Sequence, residues 1–396
     1  MTSGSPVPPS HGVALLFALA CGLCVANIYY AQPLLDAIGK EFGIPDARLG
    51  QVMTAAQVGC GIALLFLVPL GDRVERRRLM LIQSLGLTAS LAAVAFAPSW
   101  PLLLAGMVGI GTLGTAMTQG LIAYAASIAP AERRGQFVGV AQSGVLMGLL
   151  LARVVSGAVG DIAGWRGMFA CSAVASILLV LLLRLALPRT TVAPVRLSYL
   201  ALLRSMPTLL REERVLQVRG VLALLMFATF NIFWNAMVLP LSAPPRSLSH
   251  AAIGAFGLVG ALGALAAARA GRWADSGHGA RTSAGGLLLL ALSWLPLAFM
   301  DQSLAALMLG IVLLDMGGQA LHVTNQSMVF SARSEAHSRM VGLYMLFYAV
   351  GSGTGAAAGT ATYARWGWAG VCWLGATTSL VALVFWWATR GVARRR

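Results

Sequence analysis

Pro69-Leu70-Gly71-Asp72-Arg73-Val74-Glu75-Arg76-Arg77-Arg78 packs six charges into ten residues, and apolar runs near 47–70 and 79–97 flank it. Each run is long enough for a membrane crossing, which takes about 20 mostly apolar residues. Reading outward, the pattern repeats. Twelve such segments stand near 12–35, 47–70, 79–97, 101–128, 136–159, 166–187, 215–241, 250–271, 282–300, 303–329, 338–363 and 367–389. The 396 residues are 58% hydrophobic and 10% charged, with a mean hydropathy of +0.79. Soluble domains are about 45–50% apolar and about 25% charged. An aqueous enzyme is therefore excluded, and an all-α, multi-pass membrane protein is expected.

The net charge of +15 is a topology signal. With the N-terminus inside, most of the 28 Lys and Arg fall in inner loops, few fall outside, and Arg153 stands within a span. That bias predicts both termini in the cytoplasm, in an inner cell membrane. It also argues against nucleic acid, because the charge is spread over many loops. Residues 1–35 lack a basic flank and do not read as a signal peptide. Five cysteines lie in apolar runs, and Cys21-Gly-Leu-Cys24 reads as packing rather than a redox pair. The long inner connection, 188–214, carries Arg189, Arg196, Arg204, Arg211 and Arg214, with Leu197, Leu200, Leu203 and Leu210 at near-helical spacing. A surface-lying amphipathic helix and a linker with a topogenic charge cluster both fit.

The two halves align at an offset of 203. Asp72 meets Asp275, Glu132 meets Glu335, Gly148 meets Gly351, Trp165 meets Trp368 and Gly167 meets Gly370. At 204, Asn27-Ile28-Tyr29-Tyr30 meets Asn231-Ile232-Phe233-Trp234. Six spans duplicated in one orientation predict two six-helix bundles, 1–187 and 215–396, about an axis along the membrane normal, joined by the 188–214 linker. Gly144, Gly148, Ala152 and Ser156, matched by Gly351, Gly355 and Gly359, form small-residue rows that predict close helix contact.

The loop from Gly71 to Arg78 resembles the signature between the second and third spans of the major facilitator superfamily. Gly271-Arg272-Trp273-Ala274-Asp275 resembles its second copy. The likeness extends over almost the whole chain, with the twelve-span drug:proton antiporter branch nearest. The chain differs from that branch at Ala152-Arg153, where the branch has Gly-Pro, and at Met107, where it often has Arg. The resemblance implies that Asp72, Arg73, Arg76, Arg77 and Asp275 latch the inner ends of the halves, with Arg339 at the start of the eleventh span as counterpart. A carboxylate near a helix N-terminus supplies the attraction. For Arg76 and Arg77 topology alone is the other reading. The resemblance also implies that spans 1, 4, 7 and 10 line a central cavity, through Asn27, Tyr30, Gln119, Asn231, Trp234, Gln319, Asn325 and Gln326.

Residues that break the repeat are candidates for chemistry. Arg153 corresponds to Ala356, and Asp315 corresponds to Thr112. A charge at the bilayer centre costs at least about 2.5–3.5 kcal/mol, so such residues are functional candidates by default. Asp315 lies about 18 Å and Arg153 about 9 Å from the outer ends of their helices. Asp315, Gln319, His322 and Gln326 share one face of the tenth span. These residues suggest proton coupling, with Asp315 as proton site, His322 tuning or relaying, and Arg153 either pairing with Asp315 or binding an anionic substrate. A fixed ion pair between helices, and a packing role for His322, remain the structural alternatives. No metal cluster, phosphate loop or nucleophile motif is found, so neither a cofactor nor ATP is expected. A monomeric, proton-coupled exporter of small molecules is the expectation; an importer of a polar or anionic solute is the alternative, and an intramembrane enzyme a remote one.

Overall fold

The computed structural model describes residues 11–71, 74–129, 133–187, 199–332 and 337–391; side chains at 11, 134, 262, 264–269, 271, 274–275, 330–332 and 337–338 are not described. The described residues form helices and no strand. In chain order these are α1 (His11–Tyr29), α2 (Leu35–Phe42), α3 (Asp46–Ile62), α4 (Val68–Leu70), α5 (Arg76–Ala95), α6 (Trp100–Ile128), α7 (Arg134–Ala186), α8 (Tyr199–Glu212), α9 (Arg214–Ala236), α10 (Val238–Ser242), α11 (His250–Trp273), α12 (Gly279–Leu292), α13 (Trp294–Leu297), α14 (Leu304–Ala332) and α15 (His337–Thr389).

Nine helices among the described residues are long and apolar enough to cross a membrane, against the twelve spans expected. The shortfall has a physical source. α7 and α15 have 53 residues each, or about 80 Å at 1.5 Å per residue, far beyond the roughly 30 Å hydrocarbon core. Each contains one residue of non-helical backbone, Gly164 (φ 70°) and Gly367 (φ 61°), 203 positions apart. A left-handed φ is open to glycine without steric strain, so each long helix turns there. α11 is apolar over His250–Ala261, the stretch of it whose side chains are described without interruption.

The contacts also repeat. α1 packs on α6 and α7 as α9 packs on α14 and α15; α3 packs on α6 as α11 packs on α14; α5 packs on α6 and α7 as α12 packs on α14 and α15. The small-residue rows make the closest approaches. A methyl group at Gly144 or Gly148 would overlap the α1 backbone at Ala18 or Gly22; at Gly351, Gly355 or Gly359 it would meet α9 at Leu224, Ala228 or Ile232.

Two further contacts, α3 with α15 and α7 with α11, join the first part of the chain to the second. Near His250 they run backbone against backbone: Gly50 lies on the Ala356 carbonyl, Gly157 on His250 and Gly254 on the Arg153 carbonyl. Gly50 N–H donates to Thr360 Oγ1 at 3.0 Å, and Thr54 Oγ1 donates to the Gly353 carbonyl at 2.8 Å. Toward Arg76 the α3–α15 contact loosens. The Cβ position at Gly61 is 3.5 Å from Leu346 Cδ1, and that at Gly342 is 3.9 Å from the Leu64 carbonyl. The contact region thus has a tight His250 end and a looser Arg76 end.

α8 carries the second part of the linker; residues 188–198 lie outside the described residues. Met206 and Leu209 are buried against Leu216, Val329, Met340 and Leu343, while Arg204 and Arg211 are exposed. Tyr199 Oη donates to the Phe66 carbonyl at 2.7 Å, and Arg339 donates to Ser205 at 2.8 Å. The helix thus touches both parts of the chain.

Candidate functional site

α11 places a glycine at every third residue: Gly254, Gly257, Gly260 and Gly263. Three-residue spacing winds the row around the helix, so it forms a groove facing α7 at Gly254 and Gly257 and α14 at Gly260 and Gly263, and a charged side chain from each neighbour lies in it. The Cβ position at Gly257 is 3.4 Å from both Cβ and Cδ of Arg153, from α7. At Gly260 a methyl group would overlap the Asp315 carboxylate, from α14, and at Gly263 it would lie 2.9 Å from Asp315 Cβ. One helical step of three residues, about 4.5 Å, separates the two seats. Asp315 is 4% exposed and faces protein, and its Oδ2 has no hydrogen-bond partner. Desolvating a carboxylate without pairing it is expensive.

Arg153 is 5% exposed and has neutral company. Its Nε donates to Gln32 Oε1 at 2.7 Å, and its guanidinium lies 4.0 Å from the centroid of the Trp234 ring. A desolvated cation over an indole gains about 2 kcal/mol. Gln32 stands between α1 and α2, and Trp234 belongs to α9, so three separate elements meet on this cation. No ion pair joins Arg153 to Asp315 among the described residues. A cavity of about 10 Å³ beside Arg153 is lined by Gln32, Pro33, Trp234, Met237, Ile253 and Gly254, room for about one water molecule.

Toward the Arg76 end the polar groups continue. Tyr29 and Tyr348 share a hydroxyl hydrogen bond, and Phe227 packs edge-on to Tyr348 and to His322. His322 Nδ1 lies 2.9 Å from the Tyr344 hydroxyl and its ring stacks on Tyr344. Tyr344, not Asp315, is therefore its polar partner. Arg219, 3% exposed, donates to Ser283 Oγ at 2.8 Å and Asn325 Oδ1 at 3.2 Å.

The remaining expected site residues are divided. Asn27 is fully buried and accepts from Ser172 of α7. Asn231 donates to the Phe227 carbonyl and receives Asn235, bonds internal to α9. Tyr30 is buried, whereas Gln119, Gln319 and Gln326 are partly exposed. Asp72 and Arg73 lie outside the described residues, and the Asp275 side chain is not described. Arg76 donates to the Ala123 carbonyl at 2.6 Å and Arg77 to the Arg184 carbonyl at 2.5 Å.

Sequence reasoning missed Gln32, Arg219 and Tyr344. Arg219 follows the start of α9 by five residues, where an Arg reads as a topology marker. The Gly-x-x-Gly spacing of α11 was the available signal for the groove.

The Major Facilitator Superfamily model matches residues 16–283 and 220–396. The chain belongs to the major facilitator superfamily. Within that superfamily it is 40% identical over 386 residues to the uncharacterized transporter YgaY of Escherichia coli O157:H7, covering 98% of this chain and 97% of the relative. It is 30% identical over 179 residues to a purine ribonucleoside efflux pump of Salmonella paratyphi B, 44% of each chain. Its fold is that of a bacterial homologue of the human lysosomal transporter Spinster, solved inward-facing and occupied, with a TM-score of 0.76, 17% identity and coverage of 99% and 98%. The chain is a multi-pass membrane transporter and not an enzyme.

Proposed function

We propose that the chain is a proton-coupled exporter of small molecules working by alternating access. It has twelve spans in two six-helix bundles, 1–187 and 215–396, joined by the 188–214 linker, and both termini are cytoplasmic. Two crossings each for α7 and α15, together with α11, bring nine apolar helices to twelve. The His250 end faces outward and is closed, and the Arg76 end faces the cytoplasm. The protein works as a monomer in the inner membrane.

The observation that carries the reading is the unpartnered Oδ2 of the Asp315 carboxylate, seated in the α11 groove. Protonation removes a buried charge there and eases sliding of α14 and α7 along the glycine row. Arg153 sits one step away and attracts the ionised form. His322 with Tyr344 tunes the pathway, and Tyr30, Gln119, Trp234, Gln319 and Gln326 contact substrate. Asp72, Arg73, Arg76, Arg77, Asp275 and Arg339 serve the inner latch. The partial likeness to a ribonucleoside efflux pump favours export.

The test uses inverted membrane vesicles with an acid interior and radiolabelled inosine as first probe. Wild type should accumulate inosine, and Asp315→Asn should lose at least tenfold of the gradient-driven rate. Unchanged gradient dependence in Asp315→Asn removes that residue as the coupling group. A second reading, import of an anionic solute, is favoured by the neutral partners of Arg153. Under it benzoate raises the melting temperature of the purified protein, benzamide does not, and Arg153→Gln abolishes the difference.

A further inference from the structure

The closed His250 end contains a cluster apart from Asp315. His250, the first residue of α11, presents Nε2 to Asp36 Oδ1 of α2 at 3.0 Å and Nδ1 to Asp161 Oδ1 of α7 at 2.9 Å. The same Asp161 carboxylate accepts the His250 N–H at 3.0 Å and the Ala251 N–H at 2.8 Å. Asp36 is nearly buried and also holds Lys40 at 3.2 Å. One imidazole therefore ties α11 to two elements from the first part of the chain, where Gly157 brings the α7 and α11 backbones together. Nearby Glu41 and Arg166 are engaged with each other and with Trp165, so Asp36 and Asp161 are the charged groups that face the ring.

We propose that His250 is a second proton site, the pin of a clasp that holds the outer end shut. The inference rests on the assignment of this end to the outside. Both ring nitrogens face carboxylate oxygens, so both must carry protons for both bonds to be donated. An ordinary imidazole takes its second proton below about pH 6.5, and an ordinary Asp loses its own above about 4. The clasp is whole throughout that interval, and the attraction among its opposite charges extends it at both ends. Raising the pH past the imidazole's value removes one donor and sets a lone pair against a carboxylate; lowering it below the carboxylates' value removes the acceptors. A proton arriving from a mildly acidic exterior thus closes the outer end behind it, and its release permits outward opening.

The experiment is hydrogen–deuterium exchange on the full-length protein in lipid nanodiscs, at pH 5.5 and 8.0, corrected for intrinsic rates. In wild type the amides of residues 250–253 should exchange at least about fivefold more slowly at pH 5.5. In His250→Gln the two corrected rates should agree within about twofold. Asp36→Asn, whose amide oxygen still accepts from the ring, should fold and reduce the ratio toward the same value. Asp315→Asn should keep the wild-type ratio. Equal rates in wild type, or an unchanged ratio in His250→Gln or Asp36→Asn, overturns the proposal. So does loss of the ratio in Asp315→Asn, which would assign the pH response to the groove. The readout is opening rather than flux, so it can succeed where the Asp315 transport test fails.

Discussion

At the His250 end α3 and α7 meet α15 and α11 through glycines laid on carbonyl groups; toward the Arg76 end α3 and the turn after it touch α15 through side chains or barely at all. The chemistry differs as well. The tight end is tied by directional bonds among Gly50, Thr360, Thr54, Gly353, His250, Asp36 and Asp161. At the loose end Arg76 and Arg77 bond to carbonyls of their own part of the chain. Close backbone approach tolerates no added atom, so the tight end is specified by absence of side chains. The loose end leaves room for added atoms.

The largest effect should come from filling the tight end. Gly50→Val sets a branched side chain against the Ala356 carbonyl and Thr360 hydroxyl, and should lose about 2–3 kcal/mol, read as thermal stability in detergent. A wild-type melting curve would refute the tight packing. Next, Asp161→Ala strips two N-terminal amides of α11 and one face of His250. A loss of about 1–2 kcal/mol is expected, and exchange protection should fall at residues 250–253 without spreading to α5. Nearer the middle, Tyr348→Phe should lose about 1 kcal/mol through its bond to Tyr29. Tyr29→Phe added on top should change little, since the pair shares one interaction; additive losses would show that the hydroxyls act separately. The smallest effect has the opposite sign. Gly342→Ala at the loose end meets only the Leu64 carbonyl at 3.9 Å, so it should gain about 0.5–1 kcal/mol from helix propensity. Destabilisation there would mean that the ends are equally packed.

Much of the fold was legible because burial in lipid imposes long apolar runs. The breaks within α7 and α15 were legible too: the expected spans part at 160–165 and 364–366, around Gly164 and just before Gly367, where the backbone leaves the helix. The small-residue rows announced backbone contact, and Gly148 and Gly355 make it. Asp315 was legible as a charge that breaks the repeat; its seat was not, because a glycine groove on α11 has no polar signature. Arg219 and His250 escaped for a shared reason. A charged residue near the end of an apolar run looks like an interface marker, and its partners, Ser283 and Asn325 for one, Asp36 and Asp161 for the other, come from distant parts of the chain.

α8 has a mechanical consequence. Tyr199 is fastened to Phe66 and Ser205 to Arg339, and six residues of rigid helix set these two fastenings about 9 Å apart. A short strut is thereby wedged between the two sides of the loose end. While both fastenings hold, the linker sets the spacing of those sides as well as carrying the chain across them.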